Sequence, residues 1–225
     1  MKYPNLFILG APKCGTTALA SWISSHPQIY VSASKEPHYF SEEYRLTPTL
    51  EQYLANFDDA TSQHSWRCDA SVWQMYSQTA VPNILHHIAN PKFVVMVRNP
   101  MEMAPSMHSQ QLYNGNEFIT DFTEALYLND ERLTGKPTGM LRRYPTDHLA
   151  YFHSCALGWQ IKKLLSQVSS ESLHLIFLDD VKQDAGSVLR DLYSFLGVDN
   201  FEAENLSVVN PAKVRAFPVL DRMTK

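Results

Sequence analysis

The sequence predicts an α/β fold: a central, mainly parallel sheet flanked by helices, in a single domain spanning residues 1–225. Three observations predict it. Short apolar segments alternate with stretches of helical periodicity instead of with hairpin turns. Asn99-Pro100 and Gly197 stand where helices begin and end. A chain of 225 residues, 44% hydrophobic and 12% aromatic, is long enough to bury a core without disulfides or metals.

The elements follow in order. Leu6-Phe7-Ile8-Leu9 is the first strand, ended by Gly10-Ala11-Pro12. A helix then begins near Thr16 and carries Leu19, Trp22 and Ile23 on one face until His26-Pro27 stops it. Ile29-Tyr30-Val31 is a second short strand. Leu50, Tyr53, Leu54 and Phe57 have helical spacing, with Thr49 as the cap. Phe93-Val94-Val95-Met96-Val97 is the clearest buried strand, four of its five residues being β-branched or aromatic. Asn99 caps the next helix, inside which Pro105 should kink the ladder. Polar residues 114–147, with three glycines and two prolines, are expected to form a loop or insertion. A long helix is expected over 149–168. Residues 173–178 make a third strong strand, and the last helix holds Val188, Leu189, Leu192, Phe195 and Leu196.

Composition excludes several classes of function. Nineteen Lys and Arg stand against 23 Asp and Glu, a net charge of −4, so a broad phosphate-gripping face for nucleic acid is not expected. The apolar content argues against disorder. No apolar run reaches the length of a membrane span, and Met1-Lys2-Tyr3-Pro4-Asn5 lacks the pattern of a signal peptide. Three cysteines without close spacing point to reduced thiols and a cytoplasmic location. His86-His87 is adjacent rather than helically spaced, and no metal-ligand pattern occurs, so no metal requirement is expected.

Chemistry concentrates in Gly10-Ala11-Pro12-Lys13-Cys14-Gly15-Thr16-Thr17, between a strand and a helix. Glycines there allow a tight turn, and the helix start offers N–H groups and a positive dipole end to an anion. A ligand-free turn is the alternative, and Lys13 with two hydroxyls favours a phosphate. The glycine spacing fits a Walker A loop, but Thr16 stands where that loop places its lysine.

The loop resembles the 5′-phosphosulfate loop of sulfotransferases that use 3′-phosphoadenosine 5′-phosphosulfate (PAPS), in the bacterial and heparan-sulfate-type branch. That resemblance implies a P-loop-like sheet, PAPS as donor and 3′,5′-adenosine bisphosphate (PAP) as product. It implies that Lys13, Cys14, Gly15, Thr16 and Thr17 bind the cofactor, with Lys13 also catalytic. Arg98-Asn99-Pro100 and Ser106 resemble the family's 3′-phosphate site. Read alone, Arg98 and Ser106 would pass for a surface arginine and an ordinary helix serine. Ser34-Lys35-Glu36-Pro37-His38-Tyr39-Phe40 resembles the family's Glu-x-His/Gln-aromatic-Phe pattern, which implies Glu36 as general base and His38 as an assisting or positioning group. A carboxylate in so aromatic a segment is expected to have a raised pKa. Lys213-Val214-Arg215-Ala216-Phe217-Pro218 resembles the basic loop that folds over the cofactor, with Val214 in place of a glycine. Lys213 and Arg215 therefore complete the expected cofactor set. The chain stops at Lys225, short of the further helix expected after that loop.

The function implied is transfer of a sulfuryl group from PAPS to a hydroxyl or amine of a small molecule or carbohydrate. Two alternatives stay open on sequence. One is a P-loop kinase or NTPase using Mg-ATP, with Asp179-Asp180 after a strand as magnesium ligands; the other is a non-catalytic nucleotide-binding module. His38, Tyr39, Phe40, Trp66, Trp73, Tyr76 and Tyr113 either line an acceptor cleft or fill the core.

Overall fold

The computed structural model describes residues 3–135, 144–203 and 206. These fall into two compact units, one of 3–98 with 157–203 and 206, the other of 99–135 with 144–156. Strands β1 (Leu6–Gly10), β2 (Ile29–Val31), β3 (Trp66–Asp69), β4 (Lys92–Val97) and β5 (Leu173–Phe177) lie in the first unit. All their pairings are parallel, in the order β2-β3-β1-β4-β5. The parallel α/β architecture expected from the alternating pattern is what forms. Among the described residues the α-helices are α1 (Thr16–Ile23), α2 (Leu50–Ala55), α3 (Ala80–His87), α4 (Pro100–Asn114), α5 (Phe122–Tyr127), α6 (Asn129–Leu133), α7 (Tyr151–Ser154), α8 (Leu157–Leu165) and α9 (Leu178–Leu196).

β1 is central, and all five of its residues are buried, as a strand covered on both faces requires. Phe7 pairs in register with Asp69 on β3 and Phe93 on β4. Phe7, Phe40 and Tyr53 form successive edge-to-face contacts 5.9 and 5.2 Å between ring centres. Each such fully buried ring contributes roughly 1.5–3 kcal/mol by removal from water. β5 is an edge strand: α9 packs on it, with His174 stacked on Phe195 at 5.0 Å, while Leu175 and Phe177 are exposed. It ends at Phe177, one residue before the expected bound, because Leu178 already opens α9.

Two expectations about helices are corrected. The helix expected over 149–168 is two, α7 and α8, separated at Cys155 and Ala156. Residues 114–147 are not simply a loop, since α5 and α6 lie within them; Asp121 caps α5 by accepting from the Glu124 N–H at 2.8 Å. α4 runs 15 residues across Pro105, so the proline does not end it. The carbonyl deprived of its partner is that of Met101, whose residue is 82% exposed, so water can satisfy it. In the second unit Glu117 and Arg132 form a fully buried ion pair at 2.7 Å, and the Tyr151 hydroxyl donates to Glu117 at 2.9 Å.

Candidate active site

β1 and β4 are neighbours from which the chain departs toward opposite edges of the sheet, to β2 and to β5. In open parallel sheets such a switch point creates a crevice beyond the C-terminal strand ends. The loop after β1 and Arg98 after β4 stand at those two ends. Gly10 (φ 140°) lets the chain turn where a Cβ would lie 2.4 Å from the Val72 carbonyl oxygen. The Ala11 N–H donates to the Met96 carbonyl at 3.0 Å, and the Cys14 N–H to that of Ala11 at 3.3 Å. Lys13 has φ 64°, and Gly15, with φ 93°, occupies the cap position of α1.

No side chain caps α1. The Gly15 carbonyl accepts from the Leu19 N–H, which leaves the N–H groups of Gly15, Thr16, Thr17 and Ala18 without helical partners by geometry. That helix start, with Lys13 two residues before it, suits an anion. Thr16 is buried and Thr17 half-buried. Cys14 turns its thiol inward, fully buried, to the Pro12 carbonyl at 3.5 Å. Arg98 Nη1 donates to the Lys13 carbonyl at 3.2 Å, so the two segments singled out for anion binding touch. Ser106 lies on α4, in the second unit. Lys213 and Arg215 lie outside the described residues.

Glu36 and His38 follow β2 and form a second cluster. His38 Nε2 donates to Glu36 Oε2 at 3.3 Å, and Lys35 Nζ donates to Oε1 at 2.7 Å. An ionised carboxylate only accepts, so this contact places the imidazole proton on Nε2 and leaves the buried Nδ1 without a partner. The Glu36 side chain is 29% exposed. The expected raised pKa is not found. Burial pushes the Glu36 carboxyl up, but the His38 hydrogen bond and the Lys35 charge outweigh it and hold the group below its ordinary value.

Around this pair lies a buried network built on Asp69-Ala70-Ser71, a segment whose sequence resembles the family's substrate-side strand end and whose bonds to His38 the sequence does not show. Asp69, at the end of β3 and fully buried, accepts from the Ser71 N–H at 2.9 Å and the Ser71 hydroxyl at 2.6 Å on one oxygen. Its other oxygen accepts from Tyr53 at 2.7 Å and Gln74 at 3.2 Å. Burial raises the Asp69 pKa, and these bonds oppose the rise. The Ser71 hydroxyl also accepts from the His38 N–H at 3.0 Å. Tyr44 stands edge-on to His38 at 5.7 Å and donates its hydroxyl to the Trp73 carbonyl. A serine two residues past an aspartate at a strand end was the available signal.

The aromatic residues divide. Phe40, Trp73 and Tyr76 are buried in the core, Tyr39 stacks on Tyr53 at 4.7 Å, and Tyr113 is exposed on α4. Trp66 donates its indole N–H to the Leu196 carbonyl at 3.0 Å. Asp179, the magnesium ligand of the kinase alternative, is exposed on α9 beside the edge strand and pairs with Lys182 at 2.7 Å. Among the described residues no cluster of three or more His, Cys, Asp or Glu is placed to hold a metal ion. No helix there is long and apolar enough to cross a membrane. The three cysteines are buried thiols; burial pushes that of Cys155 up to about 12.

With this geometry in hand, comparisons with known proteins agree on one family. A sulfotransferase from Alicyclobacillus acidocaldarius superposes with a TM-score of 0.79 at 25% identity, covering 99% of this chain and 90% of that one. Mouse sulfotransferase SULT7A1 complexed with PAP, at 18% identity and a TM-score of 0.58, shares the fold; the match covers 91% of this chain and 62% of that one. The Caenorhabditis elegans bifunctional heparan sulfate N-deacetylase/N-sulfotransferase 1 is 24% identical over 99% of this chain. The Dictyostelium discoideum membrane-associated sulfotransferase kil1 is 28% identical over 47% of it. The matched regions are 25% and 22% of those relatives' own lengths. The sulfotransferase domain family model matches residues 3–217, nearly the whole sequence, and the chain therefore belongs to the sulfotransferase domain family.

Proposed function

We propose that this protein transfers a sulfuryl group from PAPS to a hydroxyl or amine of a small molecule or carbohydrate. The observation that supports this most directly is the uncapped start of α1 after β1, with the Lys13 loop tied to Arg98 across the β1–β4 switch point. PAPS supplies the sulfuryl group: the bond from sulfur to the bridging phosphate oxygen breaks as the acceptor atom bonds to sulfur, and PAP departs with that electron pair. The N–H groups opening α1 and the hydroxyls of Thr16 and Thr17 hold the 5′-phosphate, and Lys13 offsets the charge that grows on it. Arg98 takes the 3′-phosphate, with Ser106, Lys213 and Arg215 added to it by the family resemblance.

Glu36 receives the acceptor's proton. Held ionised by His38 and Lys35, it is a weak base toward a free alcohol. The acceptor's O–H becomes acidic as its oxygen bonds to sulfur, so a carboxylate already deprotonated is adequate at that stage. ATP carries no 3′-phosphate to meet the role proposed here for Arg98.

Sulfur-35-labelled PAPS, incubated with a phenol, a primary alcohol, a hexose glycoside and a hexosamine, tests the reading. Label is expected on at least one acceptor, and PAP is expected to raise the melting temperature without magnesium. Stabilisation by Mg-ATP and not by PAP would sink it.

A further inference from the structure

The Asp69–Ser71 pair joins a strand end to the backbone of His38. Asp69 faces four donors, from Ser71 N–H and Oγ, Tyr53 and Gln74, which is the pattern of an ionised carboxylate with every lone-pair direction used. The single hydroxyl proton of Ser71 points at Asp69, so its lone pairs are left for the His38 N–H. His38 is held at φ 45°, in the left-handed region that few non-glycine residues occupy. Both backbone polar groups of His38 are bonded in that conformation, its N–H to the Ser71 hydroxyl and its carbonyl to the Leu46 N–H at 3.3 Å. All these residues lie in the first unit.

We propose that Asp69, acting through Ser71, is a positioning residue: it locks the His38 backbone so that the imidazole meets Glu36 with the geometry needed for proton transfer from the acceptor. This rests on the sulfuryl-transfer reading above. The carboxylate orients the hydroxyl, the hydroxyl holds the left-handed peptide, and the peptide fixes where Nε2 meets Glu36. Loss of the hydroxyl frees residues 36–38 to relax without removing any group that touches donor or acceptor.

Ser71→Ala, Ser71→Thr and Tyr151→Phe test it. The last removes a buried hydrogen bond in the second unit and calibrates what lost stability alone does. Transfer of labelled sulfuryl to the best acceptor of the panel gives kcat, calorimetry gives PAP affinity, and carbon-13 NMR of the Glu36 carboxyl gives its titration midpoint. In Ser71→Ala, kcat should fall about 10- to 100-fold, as misplaced catalytic groups do. PAP affinity should stay within about twofold. The Glu36 midpoint should rise toward its ordinary value as the His38 contact loosens, Lys35 remaining its other charged neighbour. Ser71→Thr, which keeps the hydroxyl, should recover most of the activity. A Ser71→Ala enzyme with wild-type kcat, an unmoved Glu36 midpoint, or a loss no larger than that of Tyr151→Phe overturns the proposal. Should wild-type protein label no acceptor, the transfer reading fails, and the Glu36 midpoint still decides whether Ser71 governs the pair. That midpoint also decides if Ser71→Thr does not fold.

Discussion

Arg98 donates from Nη1 to the carbonyl oxygen of Lys13 at 3.2 Å, joining the end of β4 to the middle of the loop that follows β1. A guanidinium has five donors in a rigid plane, so one can brace the loop while others address a phosphate. Under the proposed function, binding of the 3′-phosphate and the shape of the loop after β1 would both depend on this one side chain. A lysine at this position has a compact ammonium and cannot span both tasks. Arg98→Lys is expected to weaken PAP binding about 10- to 100-fold, the worth of a charge-assisted hydrogen bond. Calorimetric titration checks this, and an unchanged affinity would remove Arg98 from the site.

Lys13 and Glu36 should separate from Arg98 in their kinetic effects. Charge on the leaving phosphate grows chiefly in the transition state, so Lys13→Ala should depress kcat by about 10²- to 10³-fold, with a smaller change in PAP affinity. Glu36→Gln should lower kcat about 10²- to 10⁴-fold and leave PAP affinity alone. Steady-state kinetics beside calorimetry distinguishes the two residues. Wild-type turnover in either variant would end its assignment.

The loop also carries a backbone constraint. A Cβ at Gly10 would lie 2.4 Å from the Val72 carbonyl oxygen, which is main chain and cannot rotate away. At Gly15 it would meet only side-chain ends, Leu178 Cδ1 at 3.0 Å and Met96 Cε at 3.2 Å, although φ 93° is itself unfavourable for alanine. Gly15→Ala should therefore cost about 1–2 kcal/mol, and Gly10→Ala more. Urea denaturation orders the two, and the reverse order would contradict the steric reading.

What the sequence makes legible follows the range of the interactions. The strand–loop–helix at 6–23 declares itself because apolar periodicity, glycines and Lys13 lie within a few residues of one another. The Thr49 and Asn99 caps were readable for the same reason, and both bond as expected, to Gln52 and Met101. The Asp69–Ser71–His38 chain was not, since it joins positions 33 apart through one hydroxyl. The sign of the Glu36 shift depended on which cation faces it, a matter of side-chain packing. The segment around α5 and α6 reads as a loop or insertion because Glu117 and Arg132 look like surface charges until their burial is known.

Acid should act on stability through carboxylates of opposite sign. Glu36 and Glu43 both have folded pKa values held below the ordinary one. For Glu43, burial raises the pKa, but bonds from Ser77, Thr79 and the Gln78 N–H outweigh it. Their stabilisation is complete above about 4.5, the unfolded value, and is lost as pH falls through the lower folded ones. Asp69 has a raised folded pKa, so its burial costs stability at neutral pH and that cost is relieved on acidification. Glu43→Gln should be less stable than wild type at pH 7, with the gap closing as the pH is lowered well below 4.5. Melting temperatures across that range check it, and a gap independent of pH would show that the carboxylate's charge contributes nothing.

The second unit has its own decisive contact. Arg132 is fully buried and bonded to Glu117 at 2.7 Å and to the Leu149 carbonyl at 2.7 Å; Glu117 also accepts from Tyr151 and from the Phe118 and Ile119 N–H groups. Removing one partner strands the other charge away from water, so Glu117→Ala or Arg132→Met alone should destabilise by about 3–5 kcal/mol. Removing both takes away the pair's mutual attraction and also the cost of burying either ion. The double variant should then lose less than the sum of the singles, by about 1–3 kcal/mol. Denaturant titration of the four proteins measures that coupling. Strict additivity would mean that Arg132 is held by the carbonyl and the Tyr151 ring, with Glu117 contributing only through its neutral hydrogen bonds.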